Sequence, residues 1–249
     1  MIEVNTILFL AIVTLGAMVQ TITGFAMGLI IMTGVALFSI TDIAFAAAVV
    51  SFISLANTLV ALRKGRNHVD LGYVRWILAG GIPAMALGIV LLTWLSANFY
   101  EFLKLLLGIV VIAGGCLLML SPAPWPQRSS RMTSVIFGLT GGVLAGLYSA
   151  SGAPLAYYMY RQPLGINVIR FTLLAVFAAT TAIRSIMIVM SGQMTLDMVM
   201  MSLLAVPLVV VVTLLTSKTT HLVPDQAVRK IVFLVLLLAG GVLIAGSLG

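Results

Sequence analysis

Charge is the scarcest feature of this sequence. Only 8% of its 249 residues are Asp, Glu, Lys or Arg, whereas a soluble domain carries about 25%. No stretch is polar enough to form a water-exposed domain. Hydrophobic residues make up 62% of the chain, and its mean hydropathy is +1.23. The chain therefore reads as an all-α polytopic membrane protein whose function is housed within the bilayer. Carboxylates are rarer than bases. Asp42, Asp70, Glu101, Asp197 and Asp225 lie near the ends of apolar runs and Glu3 is terminal, so no mid-membrane proton relay is expected. His68 and His221 fall in basic loops, and no His, Cys, Asp or Glu cluster has metal-ligand spacing. Neither a metal nor a cofactor is expected. A single cysteine, Cys116, excludes an internal disulfide, and its apolar surroundings suggest a buried, inert thiol. The opening Met1-Ile2-Glu3-Val4-Asn5 has no basic n-region, so no cleavable signal is expected.

What the chain does have is a series of apolar runs, at 6–40, 43–62, 72–95, 102–120, 133–160, 168–190, 196–217 and 228–248. One helical crossing takes about 20 residues. Six runs fit that length; the first and the fifth are too long. The net charge of +7 sits in short loops between runs, where it signals topology rather than nucleic-acid binding. If every run crosses once, Arg63, Lys64, Arg66, Arg75, Arg128 and Arg131 lie on one side, and Lys104, Arg161, Arg170, Lys218, Arg229 and Lys230 on the other. That is no bias. If the two long runs double back as re-entrant hairpins, all of these bases except Lys104 share a side, and Arg184 alone is left inside a helix. The positive-inside rule selects the second arrangement, with both termini outside.

A Pro-rich connector, residues 121–131, separates a first repeat (1–120) from a second (132–249). Five landmarks recur between them at offsets of roughly 124–128. Gly24 matches Gly152, and Pro83 matches Pro207. Lys104 matches Lys230, and the Ala-Gly-Gly at 113–115 matches that at 239–241. Asp42 and Asn167 pair as N-caps of corresponding helices. With the doubled-back runs, the two repeats cross the membrane in opposite senses. Each is a broken helix pair followed by three transmembrane helices, an inverted-topology plan that places a site at the repeat interface near the bilayer midplane.

Each long run contains a polar interruption. One is Gln20-Thr21-Ile22-Thr23-Gly24-Phe25; the other is Tyr148-Ser149-Ala150-Ser151-Gly152-Ala153-Pro154, preceded by Gly138, Gly142 and Gly146 at four-residue spacing. A break in lipid frees backbone groups and is tolerated only where protein buries it or it lines a wet cavity. Facing breaks would gather Gln20, Thr21, Thr23, Gly24, Phe25, Tyr148, Ser149, Ser151 and Gly152 around helix N-termini suited to an anion. The plainer reading is a kinked helix with a small-residue packing face. Arg184, deep in an apolar run, offers a guanidinium fork to that anion, or else snorkels outward. Asn57 and Thr58 are hydrogen-bonding candidates, and Tyr157 and Tyr158 could line the path.

The pattern Gln20, Gly24, Phe25, Gly28, with Gly138, Gly142, Gly146, Ser151, Gly152, Pro154 in the second half, resembles the sulfite exporter TauE/SafE family of membrane permeases. The glycine run common in the second half is here Ser151-Gly152-Ala153-Pro154, and the first half has Ile31-Met32-Thr33-Gly34 where a proline is common. The resemblance implies a secondary transporter of small anions such as sulfite, organosulfonates or carboxylates, in a bacterial plasma (inner) membrane. It also implies proton coupling, and without a buried carboxylate the proton would travel on the weak-acid substrate. Its partners would be the anion and the lipid bilayer, with a homo-oligomer left open and no nucleic acid. Two alternatives remain: a carrier for a different small solute, and a non-transporting membrane scaffold subunit. Ser149-Ala150-Ser151-Gly152 superficially resembles a rhomboid nucleophile motif, but a serine nucleophile needs a base within reach and both histidines lie in loops, so no enzyme is expected.

Overall fold

In lipid the backbone must satisfy its own polar groups, and a helix does so within one segment. The computed structural model describes residues 4–119, 123–219 and 225–248. Apart from a 3-10 turn at Arg66–His68, every element in them is an α-helix. In order these are α1 (Val4–Thr23), α2 (Met27–Leu37), α3 (Ile43–Leu62), α4 (Leu71–Asn98), α5 (Tyr100–Met119), α6 (Arg131–Tyr148), α7 (Gly152–Tyr160), α8 (Ile166–Met190), α9 (Leu196–Thr219) and α10 (Asp225–Leu248). Seven of them, α1, α3, α4, α5, α8, α9 and α10, are long and apolar enough to cross a membrane. The protein is thus an integral membrane protein. Ser121 and Pro122 of the connector, Glu3 and His221 lie outside the described residues.

Both long runs double back. In the first, a Cβ on Gly16 would touch Ile31 and Met27, and one on Gly34 would press on Ile12, so α2 returns along α1. In the second, Gly141 lies against Leu155, the Phe137 ring stacks on Tyr158 at 4.7 Å, and the Ser134 and Tyr158 hydroxyls are 2.6 Å apart. Each hairpin is followed by three long helices.

The loops sort as doubling back requires. Lys64 Nζ donates to the Ser217 carbonyl at 3.3 Å, and the Asp70 N–H to Thr172 Oγ1 at 2.9 Å. Arg128 pairs with Asp70 at 3.1 Å, and the Trp125 N–H donates to the Arg161 carbonyl at 2.7 Å. The loop at 63–70, the connector and the loop at 161–165 therefore occupy one end. Gln193 reaches Thr93 at the other, where Lys104 also lies.

Glycines at four-residue spacing let α4 and α6 pack backbone to backbone. A Cβ on Gly138 would strike the Ile77 carbonyl, one on Gly142 the Gly81 carbonyl, and one on Gly146 the Met85 carbonyl. The Gly138/Gly142/Gly146 face is thus a helix seam, the plainer of its two readings. Gly108 and Gly240 join α5 to α10 in the same way. Two expectations are corrected. Asn167 is no cap: α8 begins at Ile166 with Gly165 as its cap residue, and Asp42 caps α3 only through its extended backbone, with no side-chain bond. Cys116 is exposed on α5 rather than buried, because it lies on a face of that helix that no other helix covers.

Candidate functional site

The polar interruptions become true breaks for local reasons. Gly24 takes φ +86°, which glycine adopts freely, but Ala26 at +82° and Ser149 at +52° sit where non-glycine residues are strained. Such strain costs about 1–3 kcal/mol per residue and persists where the surroundings hold it in place. Here each break is held by the other. A Cβ on Gly28 would collide with the Ser149 carbonyl and the Ala150 backbone, and one on Gly152 would come within 3.3 Å of the Ala26 nitrogen and the Phe25 side chain. The first turns of α2 and α7 thus begin at a shared point. The N–H groups of Gly28 and Leu29, and of Gly152 and Ala153, have no partner within their own helices.

Between them lies a cavity of about 20 Å³ whose polar wall is Gln20, Ser54, Ser149, Ser151 and Thr181. That volume suits about one water and is too small for a polyatomic anion.

Gln20 organises the first break. Its Nε2 donates to Asn57 Oδ1 at 3.0 Å and to Ser54 Oγ at 3.5 Å, while its Oε1 accepts the Met27 N–H at 3.3 Å, capping α2 from α1. Fully buried Asn57 donates onward to Thr213 Oγ1 at 2.7 Å and Thr21 Oγ1 at 3.1 Å. Thr23 accepts the Phe25 N–H at 3.4 Å. Thr58 bonds back to its own helix at Ser54.

Arg184 organises the second. It is 2% exposed. Its Nη1 donates to the Ala47 carbonyl and Ser51 Oγ, each at 2.5 Å, and its Nη2 to the Gly146 carbonyl at 3.0 Å. Ser51 in turn lies 3.2 Å from Ser149 Oγ. The guanidinium is therefore one hydroxyl away from the break rather than in the cavity wall, and it does not snorkel. Among the described residues no carboxylate pairs with it, and its Nε has no acceptor. It also borders a pocket of about 240 Å³ with Ala48, Thr93, Ser96 and Gln193, at the end opposite the basic loops.

Of the residues expected in the site, Gln20, Ser149, Ser151 and Gly152 line the cavity, and Thr21, Thr23, Gly24, Phe25, Asn57 and Arg184 form the layer around it. Tyr148 turns away and donates to the Leu103 carbonyl at 2.9 Å. Tyr158 lies toward the basic end on Ser129 and Ser134, and Tyr157 accepts from Arg161. Sequence reasoning missed Ser51, Ser54, Thr181, Thr213 and Arg170. Ser51, Ser54 and Asn57 form a polar stripe at three-residue spacing on one apolar helix, which was the available signal. Arg170, counted as a loop base, donates through Nη2 to the Thr21 carbonyl, satisfying a carbonyl in the last turn of α1 as Arg184 satisfies one in the last turn of α6.

Comparison with known proteins bears on this geometry. The family described as Sulfite exporter TauE/SafE matches residues 8–243. A curated protein of Cupriavidus necator called "Probable sulfite/organosulfonate exporter TauE" is 35% identical over 227 residues, covering 91% of this chain and 89% of that one. No solved structure matches the chain.

Proposed function

The chain belongs to the sulfite exporter TauE/SafE family of membrane transporters, not enzymes, and from that premise we propose that it carries sulfite or small organosulfonates and carboxylates through a site between its two helix breaks. The observation that carries this reading is the direct meeting of the breaks, Gly28 against Ser149 and Gly152 against Ala26, with two helix N-termini opening on the same point. The donors there suit an oxyanion: first-turn N–H groups of α2 and α7, the Ser149 and Ser151 hydroxyls, and the amide of Gln20.

Arg184 supplies the charge. A buried cation with no carboxylate lacks its counter-ion, and the travelling anion provides it. In this scheme the anion passes between Arg184 and the 240 Å³ pocket, and separation of Ser51 from Ser149 connects them to the space between the breaks. With every carboxylate of the described residues near a helix end, a weak-acid substrate carries its own proton.

The site is shared by two repeats, 1–120 and 132–249, of opposite orientation, with both termini outside and the connector inside. The exchange of neighbours supports this: α6 packs on α4 as α1 packs on α9, α7 meets α5 as α2 meets α10, and α3–α8 and α5–α10 pair across the centre. The test is the melting temperature of the purified protein against sulfite, taurine, sulfoacetate, acetate, phosphate and cation controls. A bound substrate at about 100 times its Kd adds about 2.7 kcal/mol of stability. Sulfite or a sulfonate is expected to raise the melting point and the cations are not; stabilisation by cations alone would refute the proposal.

A further inference from the structure

A second anion-attracting pocket lies far from the helix breaks, at the basic end, where α4 and α6 begin. The glycine seam holds these two helices in contact from Ile77 and Val135 onward. Before that point the first turns of both helices, Trp76 among them, line a pocket with the connector. This pocket measures about 230 Å³ and draws Arg75, Arg128 and Arg131 to one place. The Arg75 guanidinium lies 5.2 Å from the Trp76 ring centre and that of Arg131 5.4 Å from it, so both cations gather at one indole. Arg128 is neutralised by Asp70 at 3.1 Å and lies over Tyr73. Among the described residues neither Arg75 nor Arg131 has a carboxylate partner. The pocket therefore keeps an uncompensated double positive charge.

Its surroundings say what kind of anion it suits. Leu71 and Met132, at 73% and 69% exposure, flank it, and the exposed apolar surface continues along α6 through Ile136 and Leu139. A dissolved anion gains nothing from such a surface. An acyl chain lies along it in the bilayer, and tryptophan at a helix end marks the headgroup level. We propose that Arg75, Arg131 and Trp76 form a binding site for an anionic phospholipid, its phosphate between the two guanidinia and its chains along α4 and α6. This rests on the reading of the helices as membrane spans and not on the transported substrate.

The experiment titrates the full-length protein in detergent micelles with phosphatidylglycerol or phosphatidylcholine, with inorganic phosphate and sulfite as competitors. A basic residue near a lipid surface contributes about fivefold to anionic-lipid binding, so Arg131→Gln should lower the preference for phosphatidylglycerol about 5-fold and Arg75→Gln/Arg131→Gln about 30-fold. Arg75→Lys/Arg131→Lys should keep most of it. Arg63→Gln/Arg66→Gln, which removes two exposed bases from the same end, should keep it as well. Melting in phosphatidylcholine micelles identifies the variants that fold, and the single variant serves if the double one does not. Equal losses from the 63/66 and 75/131 pairs would show diffuse surface charge and overturn the site. Displacement of the lipid by millimolar phosphate or sulfite would show a small-oxyanion site and overturn the lipid assignment.

Discussion

Replacing Arg184 with alanine tests the proposed transport site most directly, because its effects on stability and on anion binding are measured separately. In the structure the side chain makes three bonds, to Ala47, Ser51 and Gly146. A hydrogen bond to a charged group is worth about 1.5–3 kcal/mol. Against that stands a cation at membrane depth, which costs about 2.5–3.5 kcal/mol even on lenient scales, with an Nε that finds no acceptor. Three such bonds together outweigh that cost by about 1–6 kcal/mol, so Arg184→Ala should lower the melting point while still yielding folded, inserted protein. Binding is one-sided. Removing one member of a buried charge pair costs about 2–5 kcal/mol, which is a loss of sulfite affinity of about 30-fold to several thousandfold. Arg184→Lys keeps the charge but cannot span Ala47 and Gly146 with a planar fork, and should fall between the two. The assay is sulfite binding by calorimetry together with uptake in proteoliposomes. If Arg184 only ties α3, α6 and α8 together, the alanine variant will melt lower while its folded fraction binds sulfite within threefold of wild type, and that result refutes the argument.

Three further outcomes are expected. Gly28→Ala drives a Cβ into the Ser149 carbonyl, where neither backbone can yield, and should cost about 1–3 kcal/mol and most of the uptake; Gly165→Ala, with nothing within 4 Å, should leave melting and uptake near normal. Asn57→Leu leaves Gln20, Thr21 and Thr213 without a shared partner and should destabilise by about 1–3 kcal/mol, less than additively with Thr213→Val, as thermal unfolding of the double variant will show. In a Cys116→Ser background, a cysteine at Asn67 or Ser129 should react with impermeant maleimide from the cytoplasmic side and one at Gln193 from the opposite side; labelling of Asn67Cys and Gln193Cys from one side refutes the doubled-back topology.

Much of the architecture was legible because it depends on quantities that need no geometry. Run length and loop charge are sums along the chain, so the overlong runs and the placement of Arg161 and Arg170 were enough to require the hairpins. The breaks were legible as well: in each overlong run a polar cluster with a glycine falls where the run has to turn back. What stayed hidden was set by azimuth and depth. Arg170 and Arg184 lie fourteen residues apart on α8, and each satisfies the C-terminal carbonyls of a different broken helix. Nothing in a linear reading separates that pairing from a loop charge and an intramembrane one. Tyr148 was grouped with its neighbours in sequence, but it is the last residue of α6 and its hydroxyl goes to α5, while the left-handed Ser149 turns the chain only beyond it.

The glycines show why spacing alone could not assign roles. Gly138, Gly142 and Gly146 repeat at four residues and meet the carbonyls of a continuous helix, Ile77 through Met85. Gly28 repeats at the same spacing with Gly24 while Gly152 does not, yet both meet the interrupted backbone of the opposite break. The chemistry is the same in both cases: a missing side chain allows close approach. Only the partner differs. Against an intact helix, close approach buries groups that are already bonded, and the result is a seam. Against a break, it brings first-turn N–H groups together with the hydroxyls of Ser149 and Ser151, which is what the proposed site requires. The assignment of this point as the site therefore depends on the Gly28 and Gly152 contacts. Enlarging Gly142 should disturb folding first, while enlarging Gly152, whose nearest neighbours are 3.3 Å away, should disturb transport first.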